Sequence, residues 1–177
     1  KELVDAGKYF TINRARQYGK TTMLRALRRY LQDEYYVVLM DFQTFGNAKF
    51  KDEHTFSISF AASFLRLLGR NNLVMPEKME QAVLTLKRFV AEKPEGFEQK
   101  ELFENLGEIC AASDKQIVLM IDEVDSAANN QVFLDFLSQL RACYIDRDIQ
   151  PTFRSVILAS VYDIKNLKRK LRPEDDH

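Results

Sequence analysis

The chain has 177 residues, 46% hydrophobic and 29% charged, with 26 Lys and Arg against 26 Asp and Glu. That length holds one domain with a sizeable core and falls short of two ordinary ones, and the composition excludes disordered and fibrous chains. A formal net charge of zero removes any global basic excess that would point to nucleic acid or an anionic membrane as the main partner.

No apolar run approaches the roughly 20 residues of a membrane span, and no charged-then-apolar leader resembles a signal peptide. No membrane is therefore expected as a partner, and the expected location is cytoplasmic. The sequence starts at Lys1 without a methionine and stops in a charged tail, residues 168–177, so it reads as a fragment of something longer. Cys110 and Cys143 each sit in an apolar helical pattern, with no Cys/His ligand spacing nearby, and read as structural thiols.

Residues 8–13 are rich in strand formers and lead into a polar loop. Beyond it Met23, Leu24, Leu27, Tyr30 and Leu31 recur at helical spacing with Arg25, Arg28 and Arg29 between them, predicting an amphipathic helix. Residues 36–41 form a continuous apolar run ending in an aspartate, the pattern of a strand covered on both faces. Three helical stripes follow: Phe56, Phe60, Phe64, Leu67 and Leu68, then Met79, Val83, Leu86 and Val90, then Leu102, Leu106, Ile109 and Cys110. Gly69, Asn71, Asn72, Pro76, Pro94 and Gly96 separate them. A third strand at residues 117–121 precedes a helix carrying Phe133, Phe136, Leu137, Leu140 and Tyr144, and a fourth at residues 156–159 ends at Ser160. Strands alternating with helices predict an α/β fold in three layers, a mostly parallel sheet with helices on both faces, binding ligands at the carboxyl ends of its strands.

The loop after the first strand carries chemistry. A complete phosphate-binding (Walker A) loop reads G-x-x-x-x-G-K-[ST]; its amides wrap phosphates, its lysine reaches the β and γ phosphates and its hydroxyl binds Mg²⁺. Here Gln17-Tyr18-Gly19-Lys20-Thr21-Thr22 keeps the second half, while Arg14 stands where the first glycine would be. Gly19 permits close approach of backbone to phosphate, and Lys20 and Thr21 open a helix whose amino end favours anions. A Gly-Lys-Ser/Thr triplet alone arises by chance in roughly one chain in ten of this length, and a basic turn before a helix would look the same.

The second element makes coincidence improbable. Such loops work with an apolar strand ending in an aspartate that holds the Mg²⁺ shell (Walker B), and residues 117–121 followed by Asp122-Glu123 supply it. Both elements in this order and context fall together by chance in about one chain in a thousand. The pairing predicts ATP and Mg²⁺ as ligands: Arg16, Gln17, Tyr18, Gly19, Lys20, Thr21 and Thr22 around the nucleotide, Thr21 and Asp122 on the metal. The catalytic candidates are Lys20, Glu123, which orients and deprotonates the attacking water, and Ser160, which either senses the γ-phosphate or is an ordinary strand-end serine. Asp125, three residues past Asp122, reads as a supporting carboxylate or, at least as readily, as a helix N-cap or solvated loop carboxylate. ATP is preferred because Asn166-Leu167-Lys168-Arg169 does not match the guanine-selecting Asn-Lys-x-Asp loop.

With these residues in place, the chain resembles the AAA-like ATPases of the additional-strand, catalytic-glutamate division of P-loop NTPases. Residues 10–22 and 161–168 further resemble the AAA-ATPase-like family of microbial proteins, in which an Arg-rich loop commonly replaces the first glycine. The resemblance implies one AAA-like P-loop ATPase domain over residues 1–177, a fragment lacking its C-terminal part, ending before a fifth core strand. It implies ATP hydrolysis, and in many members a fused nuclease-like domain of the PD-(D/E)xK type, which no residue here supplies. Homo-oligomers and nucleic acid contacted through the full-length protein are partners of that resemblance, not of these residues. Two alternatives stand beside an ATPase: a nucleotide-controlled switch needing an arginine, with Arg141, Arg147 and Arg154 on hand, and a DNA-associated module using Arg14, Arg16, Arg25, Arg28 and Arg29.

Overall fold

A computed structural model describes residues 1–13, 19–71 and 73–161, with Lys20 described in its backbone only. A short helix α1 (Glu2–Asp5) precedes β1 (Tyr9–Asn13), and α2 (Lys20–Leu31) and β2 (Tyr36–Asp41) follow. Then come α3 (Glu53–Leu68), α4 (Glu77–Glu92), α5 (Gln99–Ala112), β3 (Ile117–Asp122), α6 (Gln131–Ile145) and β4 (Ser155–Ser160). Single 3₁₀ turns at Phe42–Thr44 and Val124–Ala127 leave the ends of β2 and β3.

The four described strands form one sheet in the order β1-β4-β3-β2, parallel at every pairing. Every residue of β3 and β4 is buried, as central strands covered on both faces require. Their side chains alternate between two cores. Val38, Met40, Leu119, Ile121, Val156 and Leu158 join α3 to α6 on one face, and Val37, Val118, Met120, Ile157 and Ala159 join Leu24 and Leu31 of α2 and Val4 of α1 on the other. The expected three-layer α/β architecture of a P-loop NTPase is therefore present.

The larger core is aromatic. Phe56, Phe60 and Phe64 of α3 are fully buried, and ring centroids stand 4.8 Å apart for Phe60–Phe136 and 5.2 Å for Phe42–Phe133. Local signals set the helix ends: Asp52 accepts from the Thr55 amide to cap α3, and Glu98 and Glu101 form a capping box on α5. Tyr30 departs from expectation. Its spacing places it in the apolar stripe of α2, but it is 64% exposed, because it stands about 100° around the helix from buried Leu31; its ring instead lies beneath the Lys1 ammonium.

Asn71, read from sequence as a breaker, has a constructive role. β2 is an edge strand, and the buried Asn71 amide accepts from Val37 N at 2.9 Å and donates to Val37 O at 3.0 Å, completing that edge as a strand would. Both cysteines are free thiols. Burial pushes Cys110 up to about 12, and burial followed by the nearby Asp146 raises Cys143, as expected of unreactive structural thiols. Among the described residues no helix is long and apolar enough to cross a membrane.

Candidate functional site

Parallel pairing brings all four strand ends to one side of the sheet. Asn13 stands in register with Ser160, and Asp41 with Asp122, so the carboxyl edge carries Asn13, Ser160, Asp122 and Asp41 on successive strands. In open α/β sheets this edge is where ligands bind.

The amino end of α2 meets this edge. Gly19 is its N-cap residue with φ 66°, a left-handed backbone that glycine adopts freely. A Cβ there would meet nothing within 4 Å, so the position requires glycine for its angle and not for space. No acidic residue occupies the first turn, which opens with Lys20, Thr21 and Thr22. A helix commonly places carboxylates there to answer its dipole, and this one has none.

The two motifs are joined directly. Thr21 Oγ1 donates to Asp122 Oδ2 at 2.7 Å, and Asp122 Oδ1 accepts from the Glu123 amide at 2.9 Å. Asp122 is only 2% exposed, so these donors offset the cost of burying its carboxylate. Glu123 adopts φ 56° and ψ 42°, a left-handed conformation uncommon outside glycine. It sits where β3 breaks into the Val124–Ala127 turn, a conformation of the kind that concentrates at functional positions.

Ser160 is buried at the end of β4 and donates to Asp125 Oδ1 at 3.3 Å, and the Val161 amide donates to the same oxygen at 3.3 Å. Asp125 thus ties β4 to the turn that carries Glu123. Thr22 lies exposed in the first turn of α2. Arg16, Gln17, Tyr18 and the Lys20 side chain, with Arg14 and the segment 162–168, lie outside the described residues.

The arginines considered for a switch gather elsewhere. Arg141 lies over the rings of Tyr9 and Tyr144, 5.0 and 5.6 Å from their centroids, and Arg147 lies 4.2 Å from that of Tyr144. Arg154 donates to the Asp5 carbonyl. Tyr9 begins β1 and Arg154 precedes β4, so all three stand at the amino edge of the sheet, opposite Thr21 and Asp122.

Two features escaped the sequence reading. Asp41 ends β2 as Asp122 ends β3, a parallel visible in the two apolar runs; its Oδ1 accepts from the Gln43 amide at 2.9 Å. Beside it, a cleft of about 390 Å³ opens between α2 and β2, with Thr21, Asp41 and Asp122 at one end.

Among the described residues no group of three or more His, Cys, Asp or Glu could hold a metal by itself. A hydroxyl and one carboxylate do suit Mg²⁺, which takes few protein ligands and fills its shell with water and phosphate oxygens. Of the comparisons with known proteins, the family model described as an AAA-like domain matches residues 1–167. No curated protein and no solved structure matches.

Proposed function

We propose that this chain, which belongs to the AAA-like family, binds ATP with Mg²⁺ at the junction of α2 and β3 and hydrolyses it. Membership supports nucleotide binding of ATPase type, and the observation that carries the finer reading is the 2.7 Å bond between Thr21 and Asp122. It joins the helix that begins with Gly19 and Lys20 to the strand that ends in Asp122 and Glu123.

In this reading the loop residues Arg16, Gln17, Tyr18, Gly19 and Lys20, with Thr22 in the first turn of α2, surround the phosphates, and Lys20 offsets their charge. The Thr21 hydroxyl and the Asp122 carboxylate are the protein ligands of Mg²⁺, which when bound neutralises charge on the β and γ phosphates. Glu123 accepts a proton from the attacking water, and its left-handed backbone fixes where the side chain leaves the strand. Ser160 contributes through Asp125, holding the turn, and senses the γ-phosphate from the end of β4.

A second reading has its own support. Arg141, Arg147 and Arg154 all lie at the amino edge, so an arginine completing the site would come from another copy or another segment, and the isolated chain would act as a slow nucleotide switch. Homo-oligomers belong to that reading. The finer family identification, microbial AAA-ATPase-like proteins fused to a nuclease-like domain, is part of the proposal too.

The test is thermal unfolding of the wild type and Lys20→Ala with and without saturating Mg-ATP, followed by phosphate release from the wild type and Glu123→Gln. A ligand held only by the folded chain stabilises by about 2.7 kcal/mol at a hundredfold excess over its Kd. A shift in the wild type alone supports the site. No shift in either chain would sink the proposal, and equal turnover in Glu123→Gln would remove that residue's role.

A further inference from the structure

The cleft beside β2 is lined by five arginines from two helices. Arg25, Arg28 and Arg29 lie on α2 at spacings that share one face, and Arg66 and Arg70 belong to the last turn of α3 and the residue run just beyond it. Helix dipoles account for basic residues in last turns; they do not account for two helices from opposite faces of the sheet turning guanidinium groups into one cavity. Among the described residues, none of the five side chains makes an ion pair or hydrogen bond. Five guanidinium groups and two carboxylates, Asp41 and Asp122, therefore line one concave site, which keeps a net positive charge among the described residues.

We propose that this cleft binds a second anion through two or more of its phosphate groups, at a site separate from the one at the start of α2. Separation follows from helix geometry: Arg25 and Arg29 lie about 6 and about 12 Å further along the α2 axis than Thr21. Polarity follows from composition, since Asp41 and Asp122 occupy one end and repel phosphate toward the arginines. Val37 and Leu39 give the cleft an apolar wall, and among the described residues no aromatic ring lines it. Bases would find no stacking platform, so a nucleic-acid strand would be held by its backbone without regard to sequence. A small polyphosphate would present the same groups, and a volume of about 390 Å³ accommodates it. Guanidinium is the suited partner for either, through paired N–H donors.

The test uses the full chain carrying Lys20→Ala, so that phosphate binding at the loop does not contribute and failure of the ATP reading stays distinguishable. Two probes are titrated at low salt: a fluorescent single-stranded oligothymidylate by anisotropy, and inorganic triphosphate by calorimetry and by competition. The expected result is binding of at least one probe, weakened roughly tenfold or more by Arg66→Glu with Arg70→Glu and by Arg25→Glu with Arg29→Glu. For the strand, the slope of log affinity against log salt becomes shallower by about 1.4 on losing two contacts. Oligonucleotide binding that triphosphate cannot displace identifies a strand as the ligand; triphosphate binding alone identifies a small polyphosphate. Arg66→Gln with Arg70→Gln, checked for unchanged thermal unfolding, replaces the reversal should that variant fail to fold. Absence of binding by both probes, or binding indifferent to both pairs of substitutions, overturns the proposal.

Discussion

Thr21 and Asp122 share a 2.7 Å hydrogen bond although 101 residues separate them in the chain. Thr21→Val keeps the side-chain shape and removes one hydrogen-bond donor to a buried carboxylate. The expected loss of stability without nucleotide is about 1–2 kcal/mol, with Thr21→Ser within about 0.5 kcal/mol of wild type, read from urea unfolding midpoints. Equal midpoints for Val and wild type would show that the bond contributes nothing to the resting chain.

The backbone of Glu123 separates conformation from chemistry. Its φ of 56° disfavours any residue with a Cβ, so Glu123→Gly is expected to be more stable than Glu123→Ala by about 1 kcal/mol, the reverse of the usual order. Both should lose turnover under the proposed role. Denaturant titration of the two variants checks the first statement, and phosphate release the second.

Asn71 holds the edge of β2 through both polar groups of Val37, and it also donates to Leu68 O at 3.1 Å. Asn71→Leu strands these groups at a buried position and is expected to cost about 2–3 kcal/mol. Hydrogen exchange should localise the effect to the Val37 amide; exchange unchanged there would refute the edge role.

The pH dependence of stability has a definite sign at its alkaline end. Burial raises Cys110 from 9.0 to about 12 and Tyr9 from 10.0 to about 12. Above pH 9 the unfolded chain releases protons that the folded chain keeps, so their contribution is complete below pH 9 and declines as pH rises toward 12. Urea midpoints should fall between pH 8 and pH 11, and Cys110→Ala should flatten that decline. Neither thiol should react appreciably with iodoacetamide at pH 8 until the chain unfolds.

What the sequence made legible is local. The runs at residues 36–41 and 117–121 announced β2 and β3 because central parallel strands are apolar on both faces, and Phe56, Phe60 and Phe64 announced a core helix by spacing. Gly19-Lys20-Thr21 and Asp122-Glu123 were legible as motifs because their chemistry demands those residues in that order. Relationships across the fold were not. That β4 lies between the strands bearing the two motifs, that Arg66 and Arg70 face Arg25 and Arg29, and that Asn71 completes β2 depend on topology, which no local pattern encodes. Tyr30 fits the spacing yet lies outside the buried stripe, because helical spacing gives a stripe its direction but not its width.

The strand order also orders the folding of the chain in time. β2 and β3, with α3 to α5 between them, can pair once residue 122 has left the ribosome, whereas β1 has its described partner in β4, with Tyr9 opposite Val156. Closing so long a loop costs little more in equilibrium terms than a shorter one, since each doubling adds only about 0.6 kcal/mol, but contacts this distant form slowly. Of the four described strands, the earliest in the sequence is thus anchored by the latest. A nascent chain halted before residue 155 carries both motifs, yet it lacks β4, which lies between β1 and β3, so the strand that precedes Gly19-Lys20-Thr21 is left without its described partner.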